Sequence, residues 1–176
     1  MVQLVSSRWQ VKRRILLTTA LGCLTIAASA VSADRRPLVI NLTSSVPVGL
    51  YTRSAASPRT GDFVLVSLPT RHRAFAARRR YLPLNRLLLK IIAAGAGDVV
   101  CRLGPRVWAG GHSAVWALRT DALGRPLPNW SGCRRLRAHE LFVLGRHPSS
   151  FDSRYFGPVP RQAVLSAVRP ILAFWW

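Results

Sequence analysis

Two side chains of this 176-residue chain have the chemistry of a nucleophile and its base, and they are Ser45 and Lys90. Lys90 lies inside the apolar run Leu87-Leu-Leu-Lys-Ile-Ile92, and the only other lysine of the chain is Lys12. The other 24 basic residues are arginines, which keep their proton in proteins, whereas a buried lysine can lose it. A neutral amine can take the proton of a serine hydroxyl. We therefore predict that Ser45 is a nucleophile and that Lys90 is its general base.

The elements that must position these residues are predicted to be mostly strands. Short apolar runs separated by glycine, proline and aspartate are typical of strands, and they cover residues 38–42, 63–68, 87–92, 99–103, 141–144 and 163–174. Beyond residue 33, one helix is predicted over residues 70–81, ending before Pro83. This pattern predicts a mainly β fold of antiparallel sheets that close on themselves.

The local setting of the two residues supports the same chemistry. Leu88, Lys90 and Ile92 share one face of a predicted strand, and burial there would lower the pKa of the lysine. The alternative is a lysine whose stem covers apolar surface while its amine reaches water. Pro47 and Gly49 predict a turn that presents Ser45 at the edge of a cleft, although an ordinary turn serine has the same pattern.

The N-terminal region, residues 1–33, has the pattern of an export segment. Basic residues at positions 8 and 12–14 precede residues 15–33, which carry no charge and are about long enough to span a bilayer. The basic flank should stay in the cytoplasm. The small residues at 28–33 also suit signal-peptide cleavage before Asp34. Either way residues 34–176 are expected on the outer side, and the length of the apolar stretch favours an uncleaved anchor.

The charge of the chain limits its partners. The formal net charge of +20 would attract nucleic acid or anionic lipid. The arginines are scattered, however, apart from Arg78-Arg-Arg80 and Arg134-Arg135, and they match no nucleic-acid-binding motif. Together with the export segment, this predicts no nucleic-acid partner and a basic face that rests on anionic headgroups.

Cys101 and Cys133 are the two cysteines of the exported region, and an even count in an oxidising compartment predicts a disulfide. Zinc is the alternative, but no second ligand stands at metal spacing beside either cysteine, and no metal or cofactor is expected. Residues 104–139 contain many glycines and prolines and are predicted to form a loop-rich insertion that this disulfide would close.

Three blocks of sequence stand in order behind the export segment. They are Asn41-Leu-Thr-Ser-Ser-Val-Pro-Val-Gly-Leu-Tyr51, Leu87-Leu-Leu-Lys-Ile-Ile-Ala-Ala-Gly-Ala-Gly-Asp98 and Gly145-Arg-His-Pro-Ser-Ser-Phe-Asp-Ser-Arg-Tyr-Phe-Gly157. Together they resemble the bacterial type I signal peptidases, which use a Ser/Lys dyad. The Ser-x-Pro-x-Gly-Leu-Tyr form of the first block is similar to the branch of that family that serves conjugative transfer. The resemblance runs from about residue 38 to the C-terminus and includes the topology of one span before an outward-facing domain.

The resemblance implies roles for further residues. Ser150 would hydrogen-bond the lysine amine, and Asp152 and Arg154 would pair to hold their loop in shape; a solvated ion pair is the alternative. The oxyanion hole would use the backbone N–H of Ser45 and the hydroxyl of Thr43, with Ser44 as a competitor.

The sequence departs from the family pattern at one place, and its histidines offer an alternative catalytic arrangement. Gly145-Arg-His-Pro148 stands where many members of the family carry Gly-Asp-Asn-Arg. In addition, His147 or His139 would allow a Ser-His-Asp triad, with Asp152 close to His147 in sequence. Ser45 lacks the Gly-x-Ser-x-Gly context of a nucleophile elbow, which favours the Ser/Lys dyad.

The function predicted is that of a membrane-associated serine endopeptidase that processes exported substrates, and the resemblance implies small residues before the scissile bond. The resemblance implies a pilin or other signal-peptide-bearing precursor tethered to the inner membrane, a mating-pair apparatus and a periplasmic catalytic domain. Hydrolysis and cyclisation both stay open. The alternatives are a non-catalytic periplasmic assembly factor with the same fold and a basic protein that binds DNA or lipid. Residues 171–176 are predicted either to enter the membrane interface or to form a buried last strand.

Overall fold

The computed structural model describes residues 12–24, 38–111 and 113–174. The chain separates into two units, residues 1–37 and residues 38–176. In the first unit, helix α1 is described over residues 12–24 and is exposed. None of the helices within the described ranges is both long enough and apolar enough to cross a membrane. The predicted span continues to residue 33, and its residues 25–33 lie outside the described ranges.

The described residues of the second unit form eleven strands and two helices. The helices are α2 (Thr70–Arg78) and α3 (Ser153–Phe156), and a 3₁₀ turn covers Arg161–Ala163. The strands are β1 (Leu38–Asn41), β2 (Val48–Ser54), β3 (Phe63–Val66), β4 (Leu88–Ala94), β5 (Val99–Leu103), β6 (Arg106–Ala109), β7 (Val115–Trp116), β8 (Gly132–Arg135), β9 (Glu140–Leu144), β10 (Val159–Pro160) and β11 (Val164–Phe174).

The larger sheet has seven antiparallel strands in the order β1-β2-β11-β3-β4-β9-β10. This order is open, with β1 and β10 at its ends, so the expectation of sheets that close on themselves is wrong for the described strands. The mainly β class with antiparallel pairing is confirmed. Strand β2 was not predicted, because its first residues follow Pro47 so closely that they resemble a turn.

Apart from Lys90, strands β3 and β4 consist of apolar residues because both of their faces are covered. Val64 and Ile92 belong to one core cluster, whereas Leu65 and Leu89 belong to another. Side chains alternate between the two faces of a strand, so the sheet separates the two clusters. Lys90 lies opposite Val64 in the register and therefore shares the face of Ile92, as the sequence predicted.

The smaller sheet has four strands in the order β7-β6-β5-β8, and three of them lie within residues 104–139. The prediction of a loop-rich insertion is therefore wrong in part. Its strands are short and carry arginine and tryptophan beside buried residues such as Val107, so their apolar runs are weak in the sequence. Cys101 lies directly opposite Cys133 in the β5–β8 register, and the two form the predicted disulfide.

Two segment ends also differ from expectation. Helix α2 ends at Arg78 rather than at residue 81, and Arg80 has a φ of 60°, which is incompatible with a continuing right-handed helix. The last strand, β11, is exposed at Ile171, Leu172 and Phe174, so a buried last strand is wrong for these residues. Residues 175–176 lie outside the described ranges.

Candidate active site

The structure brings Ser45 and Lys90 together from opposite parts of the larger sheet. Ser45 lies in the loop between the edge strand β1 and β2, and Lys90 lies in the middle of β4. Lys90 Nζ is 2.9 Å from Ser45 Oγ, which is hydrogen-bonding distance. The lysine side chain is only 2% exposed, so the alternative of an amine that reaches water is wrong.

Ser150 completes a triangle with these two residues. Its Oγ lies 2.6 Å from Lys90 Nζ and 3.1 Å from Ser45 Oγ. A neutral lysine amine has one lone pair and two N–H groups. Its lone pair can accept the hydroxyl hydrogen of Ser45 while one of its N–H groups donates to Ser150 Oγ. This contact therefore fixes the direction in which the lone pair points.

Burial is the main reason that the Lys90 amine can be neutral near physiological pH. It lowers the pKa of Lys90 from 10.5 to about 8, since an ammonium loses its hydration in this position. The carboxylate of Asp152 opposes this shift, and the guanidinium of Arg154 adds to it. The site therefore holds a base whose pKa suits proton transfer close to neutral pH.

Asp152 and Arg154 form a buried ion pair rather than a solvated one, so that alternative is wrong. Their side chains are 0% and 2% exposed, and Arg154 Nη2 lies 2.7 Å from Asp152 Oδ2. Arg154 also donates to the backbone carbonyls of Gly145 and His147, and Asp152 accepts the backbone N–H of Gly145. Because these bonds join the pair to the backbone at Gly145 and His147, the pair fixes the loop that carries Ser150, and a further bond from Arg154 to the Trp116 carbonyl ties it to β7.

Gly145 joins this loop to the loop of the nucleophile, and the sequence did not single it out. The next backbone N–H, that of Arg146, donates to the carbonyl of Ser45 at 2.7 Å. A Cβ atom at Gly145 would overlap Ser150 Oγ and would come within 2.8 Å of Ser150 Cβ and 3.1 Å of the Ser45 carbonyl. The signal in the sequence is only that a glycine opens the third block.

If Ser45 and Lys90 carry out a reaction, Gly145→Ala is expected to lower the rate of its chemical step by about 100-fold, because the added methyl displaces Ser150 from Lys90. Gly95→Ala is the matched control, since a Cβ atom there meets its nearest neighbours at ordinary distances of 3.6 and 3.8 Å. Steady-state kinetics of both variants check this expectation. Equal rates for the two variants would show that Ser150 does not need its present position.

The predicted oxyanion residues lie at the mouth of the site. Thr43 and Ser44 are both exposed and line the same cleft as Ser45. The Thr43 hydroxyl donates to Asn41 Oδ1 at 2.9 Å. It must rotate away from Asn41 before it can donate to a substrate.

The two candidate histidines, His147 and His139, contact other groups than Ser45, although His147 lines the same cleft. His147 is exposed, and its Nδ1 lies 2.7 Å from the Ser149 hydroxyl, whereas the Ser45 hydroxyl contacts Lys90 and Ser150. His139 is exposed before β9, and its carbonyl accepts the backbone N–H of Arg161. The geometry therefore favours the dyad over a histidine triad.

A cleft of about 670 Å³ opens beside Ser45 and Lys90. This volume is in the range of small-ligand sites, and a segment of extended peptide would fit it. Its walls are largely apolar and come from the end of β1, the start of β4 and the insertion, with Ile40, Leu42, Leu87, Leu118 and Leu127 among the lining residues.

The insertion is tied to the cleft through Tyr81 and Asp121, which the sequence did not reveal. The Tyr81 hydroxyl donates to the Asp121 carboxylate at 2.5 Å, and Arg125 Nε donates to the same oxygen at 2.7 Å. Although burial alone would raise the pKa of Asp121, these hydrogen bonds lower it. Tyr81 also packs against Phe151, the neighbour of Ser150, so the insertion and the loop that carries Ser150 support each other.

Across the described residues, no group of three or more His, Cys, Asp and Glu side chains is placed to hold a metal ion.

The antiparallel sheets, together with a buried lysine in contact with two serines, place this chain in the class of peptidase-fold proteins. The profile of the family described as "Signal peptidase, peptidase S26" matches residues 10–175, and the chain belongs to that family. The resemblance found in the three sequence blocks is thereby confirmed.

The chain is also similar to proteins named for plasmid or conjugal transfer. The chain is 30% identical to the plasmid transfer protein TraF of Escherichia coli, over 96% of this chain and 99% of that protein. It is also 30% identical to the conjugal transfer protein TraF of Agrobacterium fabrum, over 93% and 98% of the two chains. A crystal structure of a signal peptidase I from Enterococcus faecalis is 18% identical, with a TM-score of 0.38, over 65% of this chain and 98% of that one.

Proposed function

We propose that this protein is a serine endopeptidase that uses Ser45 as the nucleophile and Lys90 as the general base. The observation that carries the proposal is the buried Lys90 amine, which lies 2.9 Å from the Ser45 hydroxyl and 2.6 Å from the Ser150 hydroxyl. A surface lysine would be a charged ammonium at neutral pH, whereas this one is placed to accept a proton.

The reaction follows from these contacts. Lys90 takes the hydroxyl hydrogen of Ser45 as the serine oxygen attacks the carbonyl carbon of a peptide bond. The protonated amine then gives this hydrogen to the leaving nitrogen, and an acyl-enzyme ester remains on Ser45. A water molecule that gives its proton to Lys90 attacks the ester. Lys90 then passes this proton to the Ser45 oxygen as the ester bond breaks, which restores the serine hydroxyl and the neutral amine. Ser150 keeps the amine in place through each of these proton transfers.

Hydrogen-bond donors must stabilise the negative charge that develops on the carbonyl oxygen of the substrate in the transition state. In the proposal these are the backbone N–H of Ser45 and the hydroxyl of Thr43, with the exposed Ser44 as the alternative hydroxyl. The loss of one such donor typically costs about 3 to 4 kcal/mol of transition-state stabilisation.

The substrate is proposed to be an exported, membrane-tethered precursor with small residues before the scissile bond, and a pilin subunit of a conjugation apparatus is the specific candidate. The largely apolar cleft supports a peptide substrate, and the names of the TraF relatives support plasmid transfer. If the acyl-enzyme passes to the amino terminus of the substrate instead of to water, the product is cyclic. This outcome requires the amine to be held at the ester while water is excluded.

The proposed location is the outer side of the inner membrane, with the cleft near the bilayer surface. Ile40, Leu50 and Leu172 lie side by side across β1, β2 and β11, and Leu38 and Phe174 extend the same face. We call these five residues the apolar sheet face. Ile40 is 72% exposed and also lines the cleft, so this face borders the site. Exposed apolar surface of this kind suits contact with a membrane or a partner.

Leu172→Glu tests the membrane contact. A carboxylate on the apolar sheet face should slow cleavage of a vesicle-embedded precursor by about tenfold, because burying its charge at the bilayer surface is costly. Cleavage of a soluble peptide should stay unchanged. Leu165→Glu is the matched control, because Leu165 is similarly exposed on the same strand but is not part of the apolar sheet face. Equal slowing by both variants, or slowing of the soluble peptide, would contradict this placement.

The experiment that tests the function itself uses the full chain in phospholipid vesicles with a membrane-inserted pilin precursor. We expect cleavage at one position, and mass spectrometry of the product distinguishes a hydrolysed product from a cyclic one, which is lighter by one water. If the precursor stays intact between about pH 8 and pH 10, where a lysine with a pKa of about 8 becomes largely neutral, the substrate assignment is wrong.

A further inference from the structure

The side chain of Asn41 makes five hydrogen bonds, all of them to the loop that carries the nucleophile. Its Nδ2 group donates to the carbonyls of Thr43 at 2.8 Å, Val46 at 3.1 Å and Pro47 at 2.9 Å. Its Oδ1 atom accepts the backbone N–H of Thr43 at 3.1 Å and the Thr43 hydroxyl at 2.9 Å. Asn41 is only 5% exposed, so these bonds are largely shielded from water.

These contacts lie on both sides of Ser45 in the chain. The Thr43 carbonyl precedes the nucleophile, and the carbonyls of Val46 and Pro47 follow it. The Pro47 carbonyl also accepts the buried Tyr51 hydroxyl at 2.5 Å, and the Ser45 carbonyl accepts the backbone N–H of Arg146. The backbone around the serine is therefore held at four carbonyls, and one side chain supplies the bonds to three of them.

Asparagine suits this position because it offers two donor hydrogens, one of them shared between two of the three carbonyls, and an acceptor oxygen on one rigid amide. An aspartate would place a carboxylate against three carbonyl oxygens. An alanine would remove the amide donor from the carbonyls of Thr43, Val46 and Pro47, of which Pro47 would keep only the Tyr51 hydroxyl. The bonds to Thr43 have a further consequence. When the hydroxyl rotates toward a substrate oxyanion, Asn41 Oδ1 keeps the backbone N–H of Thr43, so releasing the hydroxyl leaves no buried acceptor unsatisfied.

We propose that Asn41 is a positioning residue for the chemical step, which holds the Ser45 loop and keeps the Thr43 hydroxyl ready to turn to the oxyanion. The negatively charged oxygen is the stronger acceptor, so the hydroxyl leaves the neutral amide as charge develops. This inference rests on the proposed function, since it assigns a role within that reaction. It places the effect of Asn41 on the transition state rather than on substrate binding.

The test measures kcat and KM for Asn41→Ala and Asn41→Ser on a soluble peptide substrate, beside wild type, Ser45→Ala and the exposed control Asn85→Ala. We expect kcat to fall by about 10- to 100-fold in both Asn41 variants, with KM changed less than about threefold. Asn85→Ala should match wild type. Asn41→Ser keeps a hydroxyl in place of the amide and carries the test if the alanine variant does not fold.

A double-mutant cycle with Thr43→Val separates positioning from general destabilisation. If Asn41 acts through the Thr43 hydroxyl, Thr43→Val should lower kcat less in the Asn41 variants than in wild type. Additive effects, an unchanged kcat or a loss confined to KM would each overturn the inference while wild type still cleaves and Ser45→Ala does not. If wild type itself does not cleave, the proposed function fails and the inference fails with it.

Discussion

Ser45→Ala should lower the cleavage rate by about 10⁴-fold or more, because it removes the oxygen that attacks the peptide bond in the proposed reaction. The structure gives this hydroxyl two partners, Lys90 at 2.9 Å and Ser150 at 3.1 Å. Losing the hydroxyl leaves the binding cleft in place, so the variant should still bind precursor. Processing of a co-expressed precursor and single-turnover kinetics on a soluble peptide measure the effect.

Ser149→Ala is the control for this substitution. Ser149 lines the same cleft, but its hydroxyl contacts His147 and lies outside the Lys90 triangle, so its rate should stay near wild type. The same pair of variants distinguishes an enzyme from a periplasmic assembly factor with the peptidase fold. Full plasmid transfer and normal precursor maturation with Ser45→Ala would favour the assembly factor.

Lys90→Arg should lower the rate by about 10³-fold or more, although it keeps a positive charge at a similar distance along the side chain. A guanidinium does not give up its proton in a protein, so it cannot accept the Ser45 proton. This substitution therefore separates general-base catalysis from simple charge stabilisation. A cleavage rate within tenfold of wild type would exclude Lys90 as the base.

Two further variants make that result interpretable. Lys12→Arg changes the other lysine of the chain, far from the site in sequence, and should be fully active. Lys90→Met has an unbranched side chain without a charge and should be as inactive as Lys90→Arg. Thermal unfolding of each variant shows whether a lost rate comes from lost chemistry or from lost folding, because a larger buried side chain can also destabilise the core.

The sequence predicted the central pair for a physical reason. Lysine is scarce in this chain, and Lys90 interrupts an apolar run, so its type and setting both indicated a buried base. The apolar strands around it were predictable because β3 and β4 are buried on both faces and read as continuous runs. Ser150, Asp152 and Arg154 were reached only through the family resemblance, because a serine and an ion pair two residues apart look like ordinary surface residues.

The residues that hold the site together were not predictable from sequence. The hydrogen bonds of Asn41 go to the backbone of a loop and to Thr43. The sequence does not show which polar residue at the end of a strand will make such bonds once the loop has folded. The role of Gly145 depends on the approach of Ser150 and Ser45, which are 105 residues apart. The sheet in the insertion was missed because its strands are two to four residues long, too short for a periodic pattern.

The pKa of Lys90 itself tests the account most directly, and NMR can measure it because the chain has two lysines. Isotope labelling of lysine gives two side-chain signals, and the one that disappears in Lys90→Arg belongs to Lys90. We expect it to titrate with a pKa of about 8, because burial disfavours the ammonium, and the cleavage rate should rise with pH over the same range as the neutral amine forms. A pKa near 10.5, or a rate that is already constant below about pH 6, would contradict a neutral Lys90 amine as the base for Ser45.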